Sequence, residues 1–170
     1  YNLDSAGQVV KVTRQDSATS APVLVADAIK HQPFGPVKAI TYGNSLQMNR
    51  SYDLDNHLRA QTITGKQSLS YDYDAVNNIR NIANHVDPTR SEVYTYDPLH
   101  RLETASGKFG AISYDYDAVG NRTQQTLDRE GELTTATYLY PQNSNRLDRI
   151  DIQAGTGPLK QRRFIYDNAG

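Results

Sequence analysis

A tyrosine-aspartate pair returns along this chain about every 20 to 26 residues, and a fixed period of that length means stacked copies of one small structural unit. Four copies align closely: Tyr52-Asp53-Leu54-Asp55-Asn56-His57-Leu58, Tyr73-Asp74-Ala75-Val76-Asn77-Asn78-Ile79, Tyr96-Asp97-Pro98-Leu99-His100-Arg101-Leu102 and Tyr116-Asp117-Ala118-Val119-Gly120-Asn121-Arg122. Divergent copies begin at Leu3-Asp4 and Tyr140-Pro141, and a truncated one, Tyr166-Asp167, ends the chain.

Each copy reads as a strand, a tight turn and a returning strand. Asp at the first turn position accepts hydrogen bonds from following amides, and Pro98 at the second has its φ already set for a type I turn. The fourth position holds Gly7, Asn56, Asn77, His100, Gly120 and Gly170, residue types suited to positive φ. The spacing therefore predicts a three-residue loop, a type I turn followed by a left-handed residue in a bulge. In that register Tyr52 faces Leu58, Tyr73 faces Ile79 and Tyr96 faces Leu102, cross-strand pairs worth roughly 0.2–1 kcal/mol each.

Alternation carries the pattern backwards along each strand. Tyr71 and Tyr73, Tyr94 and Tyr96, Tyr114 and Tyr116, Tyr138 and Tyr140, and Phe164 and Tyr166 are two apart, which puts aromatic rings on one face. The opposite face holds Asp72, Thr95, Asp115, Leu139 and Ile165, so it is expected to be wet in the middle and covered towards the end. The fold class this predicts is all-β: antiparallel hairpin repeats forming a curved sheet strip.

Residues 1–170 read as part of one repeat domain, less regular over 1–48 and regular over 49–170. Within the first part, Arg14 to Pro22 reads as an exposed loop, Gln32 to Pro36 as a turn, Val37 to Tyr42 as a strand and Gly43-Asn44 as a hairpin turn. Val23 to Lys30 carries a short helical periodicity, below the length at which a helix stands by itself. The chain opens inside one copy and closes inside another, so it reads as a section of something longer. Edge-to-edge self-association of its outer strands is then expected.

Composition narrows the partners. Basic and acidic residues number 18 and 19, spread evenly, which leaves no electrostatic footprint for nucleic acid. No apolar run is long enough to insert in a membrane. Hydrophobic residues make up 37%, with 12 Tyr against 3 Phe and no Trp, a supply that suits partly wetted sheets better than a thick core. Zero cysteines exclude a disulfide framework and thiolate metal sites.

The repeated units, together with the run from Phe34 to Asn44, resemble the rearrangement-hotspot (RHS), or YD-repeat, proteins of bacteria. The resemblance implies a hairpin strip winding into a hollow shell, as in insecticidal Tc toxin C components, polymorphic toxins and teneurins. In bacterial members the shell encloses a C-terminal toxin polypeptide, the partner implied here, and the protein is secreted or displayed at the surface. The family's self-cleaving region carries paired Asp-Pro-x-Gly motifs. Asp87-Pro88-Thr89-Arg90 and Asp97-Pro98-Leu99-His100 both lack the Gly, so autoproteolysis does not carry over.

Catalytic chemistry has little footing in these residues, and no enzyme activity, cofactor or metal is expected. Asp72 with Asp74 and Asp115 with Asp117 could form acid-base pairs, but the second of each is the turn aspartate that recurs in the other Tyr-Asp units. His31, His57, His85 and His100 lack short ligand spacing. The site residues are therefore structural: Tyr52, Asp53, Tyr73, Asp74, Tyr96, Asp97, Tyr116, Asp117, Gly120, Tyr140, Tyr166 and Asp167. Two functions remain open: a section of a container wall around a toxin or effector, favoured by rings buried between hairpins, or an adhesive module binding protein or carbohydrate, favoured by rings open to solvent.

Overall fold

The computed structural model describes residues 1–33 and 35–167. Its fifteen strands lie in chain order in an antiparallel sheet, and the single helical element among the described residues is a 3-10 turn at Pro88–Arg90. The chain divides into two units, Tyr1–Tyr73 with Asn81–Pro88, and Asp74–Arg80 with the chain from Thr89 on.

The first unit holds β1 (Asn2–Leu3), β2 (Val9–Arg14), β3 (Val23–His31), β4 (Val37–Tyr42), β5 (Gln47–Tyr52), β6 (Leu58–Ile63) and β7 (Gln67–Tyr73). β8 (Ile79–Asn84) contributes residues to both units. The second unit holds β9 (Glu92–Tyr96), β10 (Leu102–Gly107), β11 (Gly110–Tyr116), β12 (Arg122–Arg129), β13 (Glu132–Leu139), β14 (Arg149–Ala154) and β15 (Lys160–Arg163).

Each unit is a single layer, as the thin apolar supply requires. Among the described residues only Ala26, Ile29, Met48 and Ala105 are buried hydrophobics. In the first unit Met48 lies between Ile40 and Ile63 on neighbouring strands. In the second, half-buried rows run Ile112–Leu127–Thr134 and Tyr114–Gln125–Ala136–Ile152 across the aromatic face. The other face carries a hydroxyl row, Thr95–Thr104–Ser113–Thr126–Thr135. Thr95 and Thr104 share a hydrogen bond of 2.7 Å, and Ser113 and Thr126 one of 2.5 Å.

The strands decide three local readings. Val23 to Lys30, too short for a helix of its own, lies in β3, where Ala26 pairs with Val12 on one side and Tyr42 on the other. A bulge there puts Ala28 at φ 47°, with its amide bonded to the Asp27 carboxylate at 2.8 Å. Gly43 does open a turn, but the left-handed residue is Ser45 at φ 67°. What requires glycine at 43 is proximity: its amide bonds the Val25 carbonyl at 2.8 Å, and a Cβ would lie 2.1 Å from the Leu24 carbonyl oxygen. Finally, Asp72, Thr95 and Asp115 are exposed as expected, but Ile165, which follows β15 outside any strand, is 98% exposed.

Candidate functional site: the tyrosine and aspartate ladder

The five-residue loop from each turn aspartate is built the same way in every described copy. The Asp97 amide donates to the Arg101 carbonyl at 2.9 Å, and the His100 amide donates back to Asp97 at 2.9 Å. Equivalent bonds close the loops at Asp4, Asp53, Asp74 and Asp117. The fourth residues take positive φ: Gly7 76°, Asn56 64°, Asn77 69°, His100 61° and Gly120 94°. The loop at Asp167 lies outside the described residues. At Tyr140 the turn begins with Pro141 and puts Asn143 at φ 61°.

The aspartate side chain locks this loop. One oxygen of Asp97 accepts from the Leu99 and Arg101 amides, both at 2.9 Å, and the other takes the Arg101 Nε at 2.6 Å. Asp74 and Asp117 repeat the pattern with Asn78 and Asn121 supplying the side-chain donor at 2.9 Å. In Asp53 that place belongs to the His57 ring, 3.2 Å away. Partial desolvation raises the pKa of these carboxyls, but the converging amide and side-chain donors outweigh it and hold Asp53, Asp74, Asp97 and Asp117 below the usual range.

These bonds also decide what the carboxylates can do. Asp74 and Asp117 have left their strands for the turn and face their own amides rather than Asp72 and Asp115. Asp72 instead meets Asn81 at 3.2 Å and Arg59 at 3.6 Å. Asp53, Asp55 and His57 bring ligand atoms within 4.8 Å of one another, but Asp53 is engaged by two amides and the imidazole. His85 bonds Ser70 at 2.9 Å, and His31 ends β3.

The tyrosines do what their spacing alone does not disclose. Tyr52 donates its hydroxyl to the Val37 carbonyl, Tyr73 to Leu58, Tyr96 to Ile79, Tyr116 to Leu102, Tyr140 to Arg122 and Tyr166 to Leu147, at 2.8 to 3.0 Å. Each bond ties one hairpin to the one before it. The reason lies in the register. Pairing of β10 with β11 stops at Thr104 and Ser113, leaving the Leu102 carbonyl beyond the ladder and Tyr116 three residues past it. β6 and β7 stop at Ala60 and Ser70, and β12 and β13 at Gln124 and Thr137, with the same offsets to Leu58 and Tyr73 and to Arg122 and Tyr140. Where the strands part, a phenol replaces the missing backbone donor.

A second irregularity frees these carbonyls. Tyr52 pairs with Leu58 and Ser51 with Ala60, so Arg59 is an extra residue; Glu103 and Thr123 are extra in the same place. Guanidinium groups add to the stitching. Arg101 lies over Tyr116 at 4.6 Å and also donates to the Asp117 carbonyl at 3.1 Å, while Arg122 lies over Tyr114 at 4.3 Å. Burial, reinforced by a hydrogen bond to Glu92, pushes the Tyr94 phenol upward.

Such a structure defines a class, the antiparallel hairpin array stitched by tyrosine-aspartate turns. Solved structures with the same fold come from Tc toxin assemblies that contain TccC3. A Photorhabdus luminescens Tc holotoxin pore with a TccC3 mutation superposes with a TM-score of 0.76 at 21% identity over 86% of this chain. A TcdB2-TccC3-Cdc42 structure gives 0.58 at 21% over 98%, and TcdB2-TccC3 without its hypervariable C-terminal region gives 0.60 at 18% over 98%. The chain spans 9% of the length of each of these three chains. No family model matches the sequence, and neither does any curated protein. The likeness is one of fold, consistent with the RHS or YD-repeat family. No described helix is long and apolar enough to cross a membrane.

Proposed function

We propose that this chain is a structural, non-catalytic section of a wall that encloses a toxin or effector polypeptide within a secreted complex. The observation that carries the reading is where the tyrosines go: six hydroxyls bind the preceding hairpin, and five of these six residues are half-buried, so the aromatic side chains are joints of the sheet. An adhesive surface needs rings presented to solvent, and among the described tyrosines only Tyr1 and Tyr166 are exposed. The turn carboxylates, engaged by their own loops, are unsuited to proton transfer. Likeness in fold to a small share of a much longer chain in a Tc holotoxin supports a wall section.

The test is protection. The repeats are produced within their full-length protein, and the polypeptide it is proposed to enclose is exposed to protease before and after Tyr96, Tyr116 and Tyr140 are changed to Phe. The wall reading expects resistance that falls in the triple variant. Immediate digestion in the unaltered protein would overturn it.

A further inference from the structure

The second unit is one layer thick, so each strand sends alternate side chains to two faces, and the register tells which residues share one. The two half-buried rows of its aromatic face hold no carboxylate. The second of them continues from Ile152 to Lys160 in β15, and the row after it runs Tyr138–Ile150–Arg162, again without an acid. Arg122 belongs to the same area, its guanidinium 4.3 Å from the Tyr114 ring and 5.6 Å from the Tyr138 ring. The opposite face of these strands carries Asp115, Asp128 and Asp151, with Arg149 ion-paired to Asp151 at 2.8 Å and Arg163 across from Arg149. A single sheet thus separates a cationic, partly apolar face from the face that holds the acids.

Folding does not ask for these cations. In the copies at Tyr52 and Tyr96 the residue across from the tyrosine is aliphatic, Leu58 and Leu102, whereas Tyr116 faces Arg122. Drawing a guanidinium out of water costs free energy unless it is paired. Arg122 is half-buried, its Nε is covered and bonds nothing, and its Nη1 reaches the Gln125 Oε1 at 3.4 Å. The two rings compensate in part. Other arginines of the chain have acids beside them, Arg59 with Asp72 and Arg101 with Asp97. No described carboxylate lies within ion-pairing distance of Arg122, Lys160 or Arg162.

We propose that this face of the second unit, from Arg122 to Arg162, is a docking surface for an acidic polypeptide segment whose carboxylates alternate with apolar side chains. Charge complementarity sets the sign of the occupant, and Ile150 and Ile152, lying between the cations, set its apolar part. Lys160 and Arg162 are two residues apart on one face of β15, about 7 Å, which is the spacing of alternate side chains along an extended segment. Arg122 stands three strands away, roughly 14 Å. A nucleic acid fits less well: three cations offer few phosphate contacts, the chain carries a net charge of -1, and the acidic face lies one layer behind. The surface goes beyond the wall reading and stands without it.

Fluorescence anisotropy with the whole chain tests this, using a short labelled peptide of alternating Glu and Val, the same peptide with Gln in place of Glu, and a short oligothymidylate. Arg122→Leu restores the side chain of the other copies. Arg162→Gln and Arg163→Gln remove the same charge from opposite faces of one strand, and circular dichroism checks the folds. The Glu peptide should bind, more weakly as salt rises, and the Gln peptide should not. Arg122→Leu/Arg162→Gln should weaken binding about tenfold, and Arg163→Gln less than about twofold. No binding at about 1 mM Glu peptide, equal binding of the Gln peptide, equal weakening by Arg162→Gln and Arg163→Gln, or tighter binding of oligothymidylate overturns the proposal.

Discussion

Replacing Tyr116 by Phe isolates one joint of the ladder. The change removes the hydroxyl that donates to the Leu102 carbonyl at 2.8 Å and keeps the ring, including its contact with Arg101. Pairing of β10 with β11 ends at Thr104, so that register offers no backbone amide to replace the phenol. A net protein hydrogen bond contributes roughly 0.5–1.5 kcal/mol, and an acceptor left half-buried puts this one near the upper end. With a urea slope of about 2 kcal/mol per molar, the midpoint should fall by roughly 0.7 M. Tyr114→Phe is the control, because the Tyr114 ring meets Arg122 and its hydroxyl bonds no described residue. It should change the midpoint by less than about 0.1 M on the same slope. Amide exchange at Ser113 and Thr104 should quicken in Tyr116→Phe alone. Equal stability of the two variants would refute the claim that the phenols hold successive hairpins together.

His100 sits at φ 61°, so His100→Gly should be neutral or mildly stabilising and His100→Val destabilising, as read from urea midpoints. Gly43→Ala should destabilise strongly, because its Cβ would fall 2.1 Å from the Leu24 oxygen; thermal unfolding against Gly65→Ala, where space is open and only φ is strained, separates the two costs. Asp53, Asp74, Asp97 and Asp117 have depressed folded pKa values, so their contribution is present above the unfolded value of about 3.9 and is lost as pH falls through the folded values. Unfolding midpoints should hold from neutral pH to about 4 and drop below it, with a smaller drop in Asp97→Asn. The chain should also keep its mass over days of incubation, and a defined cut within 1–170 would refute the non-catalytic reading.

The aspartate loops were legible in the sequence because all their chemistry lies within five residues. An acceptor, a type I turn, a residue tolerating positive φ and a returning donor follow one another along the chain, and each reports a local preference. Alternation likewise placed the rings on one face before any partner strand was known. The tyrosine hydroxyls were not legible. Their acceptors are 14 to 19 residues earlier, and whether those carbonyls are free depends on where two strands stop pairing. That point is fixed by extra residues at Arg59, Glu103 and Thr123, which carry no shared residue type. Gly43 was equally opaque, since the atom that excludes a side chain belongs to Leu24 on another strand. Local bonds along the chain can be read from residue types; a bond between hairpins exists only once both registers are set, and registers are a property of the assembled sheet.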